Sequence, residues 1–527
     1  MNFSNTDLGI FVVYLVAMMG IGIWISVRNK SKNTKDYFLA DKSLPWWVIG
    51  GSLIASNISA EQMIGMSGSG FVIGMAIATY ELMAAATLLV VAKFLLPLFL
   101  KHNISTMPQF LEQRYDGRVR TGLAIFWLML FVFVNITSLL FLGSLAINSI
   151  LGVPIFWSVI GLAIYASTFS IFGGLRAVVW TDVIQVVVLL FGGILATITI
   201  LNALSDGGGF IEGLKMLYEK APEKFDMIFS KDATFTNIET GEKESAYALL
   251  PGIGVLVGGM WIANLYYWGF NQYIIQRALA AKNIREAQKG LLFASFLKVF
   301  MPFVVVLPGI AAYVMGAELE KADQAFPWVV NNYVDTGLKG IVVAALVAAI
   351  GSSLSSIVNS TSTIYTLDIH KRIFNKEASE MSLVKTGRIV AAVSLIIGII
   401  MTPALQSFDQ VFQFIQEYTG FISPAILAVF ILGLFWKRTT TEAALAAIFV
   451  AIPLSLGMKS MFAEMPFLDR MGYIFLILSG LMIVISLFGK TDKGLDNERS
   501  LFKTSAAFNF GSLIVVALLA AIYALFW

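Results

Sequence analysis

The octet Ala55-Ser-Asn-Ile-Ser-Ala-Glu-Gln62 stands inside an apolar run long enough to cross a membrane. It is polar, β-branched and turn-prone, a composition that competes with helix. A bilayer core offers no water to a loosened backbone. A break there persists only where protein or a water-filled cavity satisfies the freed carbonyls. Those carbonyls are also what a sodium ion needs, so the octet predicts an ion and solute site at mid-membrane. A second string can face it: Ala349-Ile-Gly-Ser-Ser353, followed by Ser355, Ser356, Ser360 and Thr361. A hard cation takes several oxygens, and carbonyls with hydroxyls supply them without burying further charge. Ser352 and Ser353 lie near the middle of the ninth apolar run, 337–370, and so near mid-depth at ~1.5 Å per residue. Small hydroxyl residues also mark close helix packing. Ser355 and Ser356 fit packing; Ser352 and Ser353 fit the ion.

Charge inside a bilayer is costly and faces a cavity or a partner. Glu81 and Lys298 each sit about eight or nine residues into an apolar run, roughly 12 Å deep. An acceptor and a donor at matching depth suit a neutral polyhydroxylated solute, whose hydroxyls both give and accept. A purely structural Glu–Lys pair is the alternative. Asp182 follows Thr181 near a helix start, where a simple cap is the alternative; Glu61 and Glu417 are less defined. The amides Asn57, Gln62, Asn135, Asn264, Asn271 and Gln416 can bridge to hydroxyls without a charge penalty. Singly they serve as interhelical glue. Tyr266, Tyr267 and Trp268 lie within a span rather than at an interfacial belt. There a ring can stack on the apolar face of a pyranose and block its exit. Met66, Tyr80 and Phe412 lie on the outward side and can form a lid, though apolar packing explains them nearly as well.

The elements that position these residues are membrane helices. The 527 residues are 58% hydrophobic and 13% charged, against about 25% charged in a globular domain. The net charge of +3 does not point to nucleic acid, and the absence of cysteine excludes disulfide and thiolate chemistry. Neither His102 nor His370 has metal-ligand spacing around it. The first apolar run lacks a basic lead and a cleavage site, so it reads as a retained helix. Periodicity and polar breaks predict about fourteen spans, at 7–27, 44–69, 73–100, 119–149, 153–173, 178–204, 250–277, 289–316, 337–370, 382–402, 408–436, 440–458, 471–489 and 504–526. Basic residues cluster after the first (Arg28, Lys30, Lys32, Lys35, Lys42), third (Lys101, Arg114, Arg118, Arg120), seventh (Arg277, Lys282, Arg285, Lys289), ninth (Lys371, Arg372, Lys376, Lys385, Arg388) and eleventh spans (Lys437, Arg438). The positive-inside rule makes that side cytoplasmic and puts both termini outside. The long polar loop 205–249 reads as a solvated outer loop with a short surface helix.

The octet breaks span two, and Trp261-Ile-Ala-Asn-Leu-Tyr-Tyr-Trp-Gly-Phe-Asn-Gln272 breaks span seven. The two breaks open successive groups of five spans. Five is odd, so the second group starts from the opposite face: an inverted repeat, with the interrupted helices pointing to the binding site. The predicted organisation is a peripheral helix and cytoplasmic loop (1–43), a first inverted repeat (44–204), an extracellular or periplasmic loop (205–249), a second inverted repeat (250–436) and three peripheral helices (437–527).

Five strings together resemble the sodium:solute symporter family, and within it the bacterial sodium/galactose and sodium/glucose cotransporters. They are Ser56-Asn-Ile-Ser-Ala-Glu-Gln62, Gly65-Met-Ser-Gly-Ser-Gly70, Trp180-Thr-Asp-Val-Ile-Gln185, the run from Ala263 to Arg277, and Ile415-Gln-Glu-Tyr-Thr-Gly420. The resemblance covers nearly the whole chain and is weakest after Ser205. It implies an all-α LeuT-like core of ten helices, one helix before and three after, in a bacterial inner membrane. It further implies sodium-coupled uptake of a hexose, galactose or glucose. Sodium would be held by the carbonyls of Ala55, Ile58 and Ala349 and the hydroxyls of Ser352 and Ser353, with Asp182 near its exit path. Gln62, Glu81, Asn264, Lys298 and Gln416 would contact the sugar, with Asn57 close by. Tyr267, backed by Trp268, would be the inner gate; Met66, Tyr80 and Phe412 would close the outside. One position departs from the sugar-transporting pattern: Ala84 stands where serine is usual, removing one possible hydrogen bond, about 1 kcal/mol. Other solutes (myo-inositol, an amino acid, a sialic acid) remain the alternative within the transporter class. A sensor would need an output domain, and an enzyme would need a nucleophile–base pair or metal set; neither pattern is present in the sequence.

Overall fold

The computed structural model describes residues 3–28, 33–238, 240–405, 411–489 and 499–527, without the side chains of 411–414 and 499. Among the described residues, eleven helical runs are long and apolar enough to cross a membrane, and a pair bent by 77°, Ala246–Val257 and Gly259–Phe270, makes a twelfth. The number differs from fourteen for a geometric reason. Glu61–Lys101 and Ile155–Leu204 hold 41 and 50 residues. At 1.5 Å per residue the longer is about 75 Å, more than twice a hydrocarbon core of about 30 Å. It is interrupted at Gly174, with φ 57° and ψ −157°. A Cβ there would lie 2.7 Å from the Tyr37 ring, so the corner needs glycine. Glu61–Lys101 turns likewise at Gly74, φ 71°.

The octet ends a helix, as its composition demands. Trp46–Asn57 stops at Ile58, which is extended (φ −75°, ψ 104°). The break supplies its own partners. Gln62 Oε1 accepts from the backbone N and the hydroxyl of Ser59 at 2.9 and 2.8 Å, and Ser59 Oγ accepts from Glu61 N at 3.1 Å. Freed donors are thereby satisfied without water. The chain resumes as the π-helical turn Glu61–Met66 and the short helix Ser67–Ile73.

The seventh span breaks twice. One break is at Asn271 (φ −75°, ψ 122°), the far end of the predicted polar stretch, between the π-helical turn Tyr266–Phe270 and helix Gln272–Leu279. The other is the bend at Gly258, which lies before that stretch and carries no polar signal. The ninth span, Lys339–Phe374, is the axis of the bundle: 94% of its most apolar stretch is buried, against 11% for the last helix, Ala506–Leu525. The last helix therefore leaves its apolar surface to lipid, and the ninth helix leaves almost none.

Two arginines predicted to lie in basic loops are buried instead. Arg114 closes helix Met107–Arg114. Its Nε donates to Gly433 O at 2.7 Å and its Nη2 to Thr439 O at 2.9 Å. Gly433 lies in the last turn of Ser423–Phe435, where helix carbonyls have no partner within the helix. Arg277 is likewise fully buried, for a reason that belongs to the candidate site. The loop 205–249 contains the surface helix Phe210–Lys220 and a small antiparallel hairpin, Thr234–Thr236 with Lys243–Ser245.

Candidate functional site

The break in the second span meets the ninth helix through Ser353. Its hydroxyl donates to Ser56 O at 2.8 Å and approaches Ala55 O at 3.4 Å. Ala55, Ile58 and Ala349 are all fully buried. Ala349 precedes Ser353 by about one helical turn, so both lie on the same face of the ninth helix. The neighbouring Ser352 donates its hydroxyl proton to Asp182 Oδ1 at 2.5 Å, which leaves its oxygen lone pairs to accept.

Asp182 lies within the run Ile155–Leu204, well beyond its corner at Gly174, so it is not a helix cap. Its carboxylate gathers three other spans. Ser52 and Ser56 donate to Oδ2 at 2.5 and 3.3 Å from the second span, Ser352 donates to Oδ1 from the ninth, and Arg277 of the seventh stands 3.6 Å away. Both charged side chains are wholly buried. Arg277 also donates to the Ser52 and Ser356 hydroxyls and to Tyr273 O, and Ser56 and Ser356 share a hydrogen bond of 2.9 Å. Breaking a buried pair costs about 3–5 kcal/mol when one partner is removed, so these spans are held in register by charge. Arg277, Ser52 and Ser356 escaped the sequence reading: Arg277 resembled a loop cation and Ser356 a packing residue. The available signal was spacing. Ser52/Ser56, Ser352/Ser356 and Tyr273/Arg277 are each four residues apart, and so share a helix face.

On the other side of the break lies a small polar cavity, with about 70 Å³ of it open to water. Asn57, Gln62, Glu81, Asn264, Tyr267, Lys298 and Gln416 all line it, with Trp268. Lys298 and Glu81 form an ion pair, their side chains 0% and 4% exposed, and the same ammonium donates to Asn57 Oδ1. It also lies 5.3 Å over the Trp268 ring. Asn57 Nδ2 donates to the Tyr267 hydroxyl at 3.0 Å, which also bonds the Tyr273 hydroxyl. The Tyr267 and Trp268 rings pack edge to face at 5.2 Å. Asn264 is partly committed: its Nδ2 donates to Met260 O at 3.1 Å. Met66 and Tyr80 also line the cavity. Phe412 belongs to helix Val411–Gly420, but its side chain lies outside the described residues. The lining further includes Glu61, Thr419 and Ser423, and Phe467 and Met471 from a C-terminal helix read as peripheral.

Two interrupted spans thus meet a central hydroxyl-bearing helix beside a polar cavity. The family profile described as "Sodium:solute symporter family" matches residues 37–451. The chain belongs to the sodium:solute symporter family. This symporter is 46% identical to the sodium/glucose cotransporter of Vibrio parahaemolyticus over 547 aligned residues, 99% of this chain and 98% of that one. It is 33% identical to sodium/myo-inositol cotransporter 2 of Mus musculus, over 85% of this chain and 69% of the relative. Among solved structures, a substrate-bound, outward-open Na+-coupled sialic acid symporter superposes with a TM-score of 0.80 at 23% identity, covering 94% of this chain and 100% of that one. A nucleobase-cation-symport-1 family transporter in a closed conformation gives 0.54 at 14%, covering 90% and 97%. At those identities the likeness is one of fold: an all-α, LeuT-like membrane architecture. The symporter is a polytopic transporter, not an enzyme, and sodium is the ion it carries.

Proposed function

We propose that this symporter imports a hexose, glucose or galactose, with sodium by alternating access across a bacterial inner membrane, both termini outside. The observation that carries this is the Glu81–Lys298–Asn57 cluster lining a cavity directly beside the broken span that Ser353 faces. A donor and acceptors at one place match a neutral solute in which every hydroxyl does both. The name of the Vibrio relative supports a sugar. Sodium is held by the carbonyls of Ala55, Ile58 and Ala349 with Ser352 and Ser353, and Asp182 receives it on the way in. Gln62, Glu81, Asn264, Lys298 and Gln416, with Asn57, hold the sugar. Tyr267 stacks on it, backed by Trp268, and Met66, Tyr80 and Phe412 close the outside. Division of the two over-long runs, with the bent pair counted as one span, gives fourteen crossings: an inverted repeat over 44–204 and 250–436, with 1–43 and 437–527 peripheral and 205–249 outside.

The energetics suffice with one ion. A potential of about 100 mV supplies about 2.3 kcal/mol per charge, and a tenfold sodium gradient about 1.4 kcal/mol. Together they concentrate a neutral sugar several hundredfold, at ~1.4 kcal/mol per decade. Proteoliposomes are expected to take up labelled glucose or galactose under an inward sodium gradient; equal uptake in potassium rejects symport. Myo-inositol offers the same hydroxyl chemistry, and relatives carry that name. An anion fits less well, because the lining holds two carboxylates, Glu61 and Glu81, against one ammonium. A competition panel of sugars, myo-inositol, amino acids and sialic acid separates these. Ser353→Ala removes one ion ligand and is expected to raise the half-saturating sodium concentration about five- to tenfold; an unchanged sodium curve removes the residue from the site.

A further inference from the structure

The loop 205–249 reads in the sequence as a solvated connector, yet one of its lysines reaches the transmembrane core. Lys224, in the turn Pro222–Phe225, donates from Nζ to the carbonyls of Phe71 and Val72 at 3.0 and 2.6 Å. These end the half-helix Ser67–Ile73, where carbonyls lack partners within the helix. The same ammonium stands 4.0 Å over the Tyr313 ring, in Leu307–Val314 of the eighth span. That ring meets Phe71 edge-on at 5.6 Å. The loop backbone touches the turn itself: a Cβ on Gly74 would lie 2.7 Å from Lys224 Cα. The loop is anchored in turn by Met227 N, which donates to Phe526 O at 2.9 Å, and by the Phe225 ring, 5.7 Å from that of Phe526. Burial brings the Lys224 ammonium down to about 8. It is still charged at neutral pH, and its bonds to the carbonyls are charge-assisted.

We infer that Lys224 is a positioning residue for transport: it ties the outer half of the second span to the outer loop and to the eighth span, so that the three move as one body. The half-helix follows Met66 directly, so a loose outer end leaves the outer wall of the cavity unformed. The inner half-helix Trp46–Asn57, with the ion ligands, is untouched. The inference rests on the transport reading given above for the cavity.

The chain has no cysteine, so Val72→Cys reports on this contact alone. Val72 is 7% exposed and lines the same recess as Lys224. Labelling of Val72→Cys by a membrane-impermeant maleimide is expected to be about fivefold faster with Lys224→Met and near the parent rate with Lys224→Arg. The half-saturating sugar concentration rises by about the same factor in Lys224→Met, with maximal rate and sodium dependence within about twofold, and Lys224→Arg restores it. Tyr313→Leu, which keeps the lysine and removes the ring, gives a smaller shift in both. Unchanged labelling in both Lys224→Met and Tyr313→Leu overturns the inference. So does an equal fall in maximal rate for the Met and Arg variants, the mark of a merely structural lysine. Labelling needs no substrate, so a failure of sugar uptake with the labelling result intact counts against the transport reading alone.

Discussion

Lys298→Met abolishes sodium-driven sugar uptake, and pairing it with Glu81→Gln brings back the folded protein without bringing back uptake. The reasoning separates two costs. Glu81 and Lys298 are buried together, so removing the ammonium strands a carboxylate, at about 3–5 kcal/mol. That cost appears as lower yield and lower melting temperature. The double variant leaves no stranded charge, and replacement of a buried pair by neutral groups is often neutral or stabilising. Its fold should therefore return. Its affinity for sugar should not. Hydrogen bonds to charged groups contribute about 1.5–3 kcal/mol each, and two of them are gone, a loss of at least a hundredfold in half-saturation. Thermal stability and uptake are measured on the same purified protein. If the double variant transports at the parent rate, the pair is a structural clamp and the cavity binds its solute by other groups.

Asp182→Asn raises the half-saturating sodium concentration by at least tenfold, and adding Arg277→Met removes most of that increase. Asp182 now neutralises a guanidinium that shares Ser52 with it and is joined to it again through the Ser56–Ser356 hydrogen bond. With an amide at 182 the full positive charge of Arg277 faces the incoming cation. Two unit charges 4 Å apart interact by about 4 kcal/mol at an effective dielectric of 20, so a tenfold penalty, about 1.4 kcal/mol, is a modest demand. The double variant takes away the repelling charge together with its partner. The measurement is the sodium dependence of uptake at saturating sugar for wild type, both single variants and the pair. Additive effects, with no recovery in the double variant, show that the ion does not sense this pair and leave it as scaffolding.

Several parts of the site are legible in the sequence because membrane chemistry leaves few meanings for certain residues. A polar, turn-prone octet inside an apolar run competes with helix, and because lipid satisfies no freed backbone the break marks a protein-lined site; the helix does end at Ile58. Glu81 and Lys298 at equal depth have to find each other or a cavity, and they do both. Ser353 was singled out by its level along the ninth span, which a constant helical rise converts into depth.

Depth was what the sequence by itself determined; azimuth and neighbours were left to the tertiary structure. A residue's level in the bilayer follows from counting along a helix of known rise. The direction its side chain faces depends on how that helix is rotated and bent against others. Arg277 counted as a loop cation because it lies near a span end, and beyond the break at Asn271 the helix Gln272–Leu279 carries its guanidinium to Asp182. Phe467 and Met471 counted as peripheral, and packing brings them to the cavity wall. Lys224 counted as solvated, and only the fold places two open carbonyls within its reach.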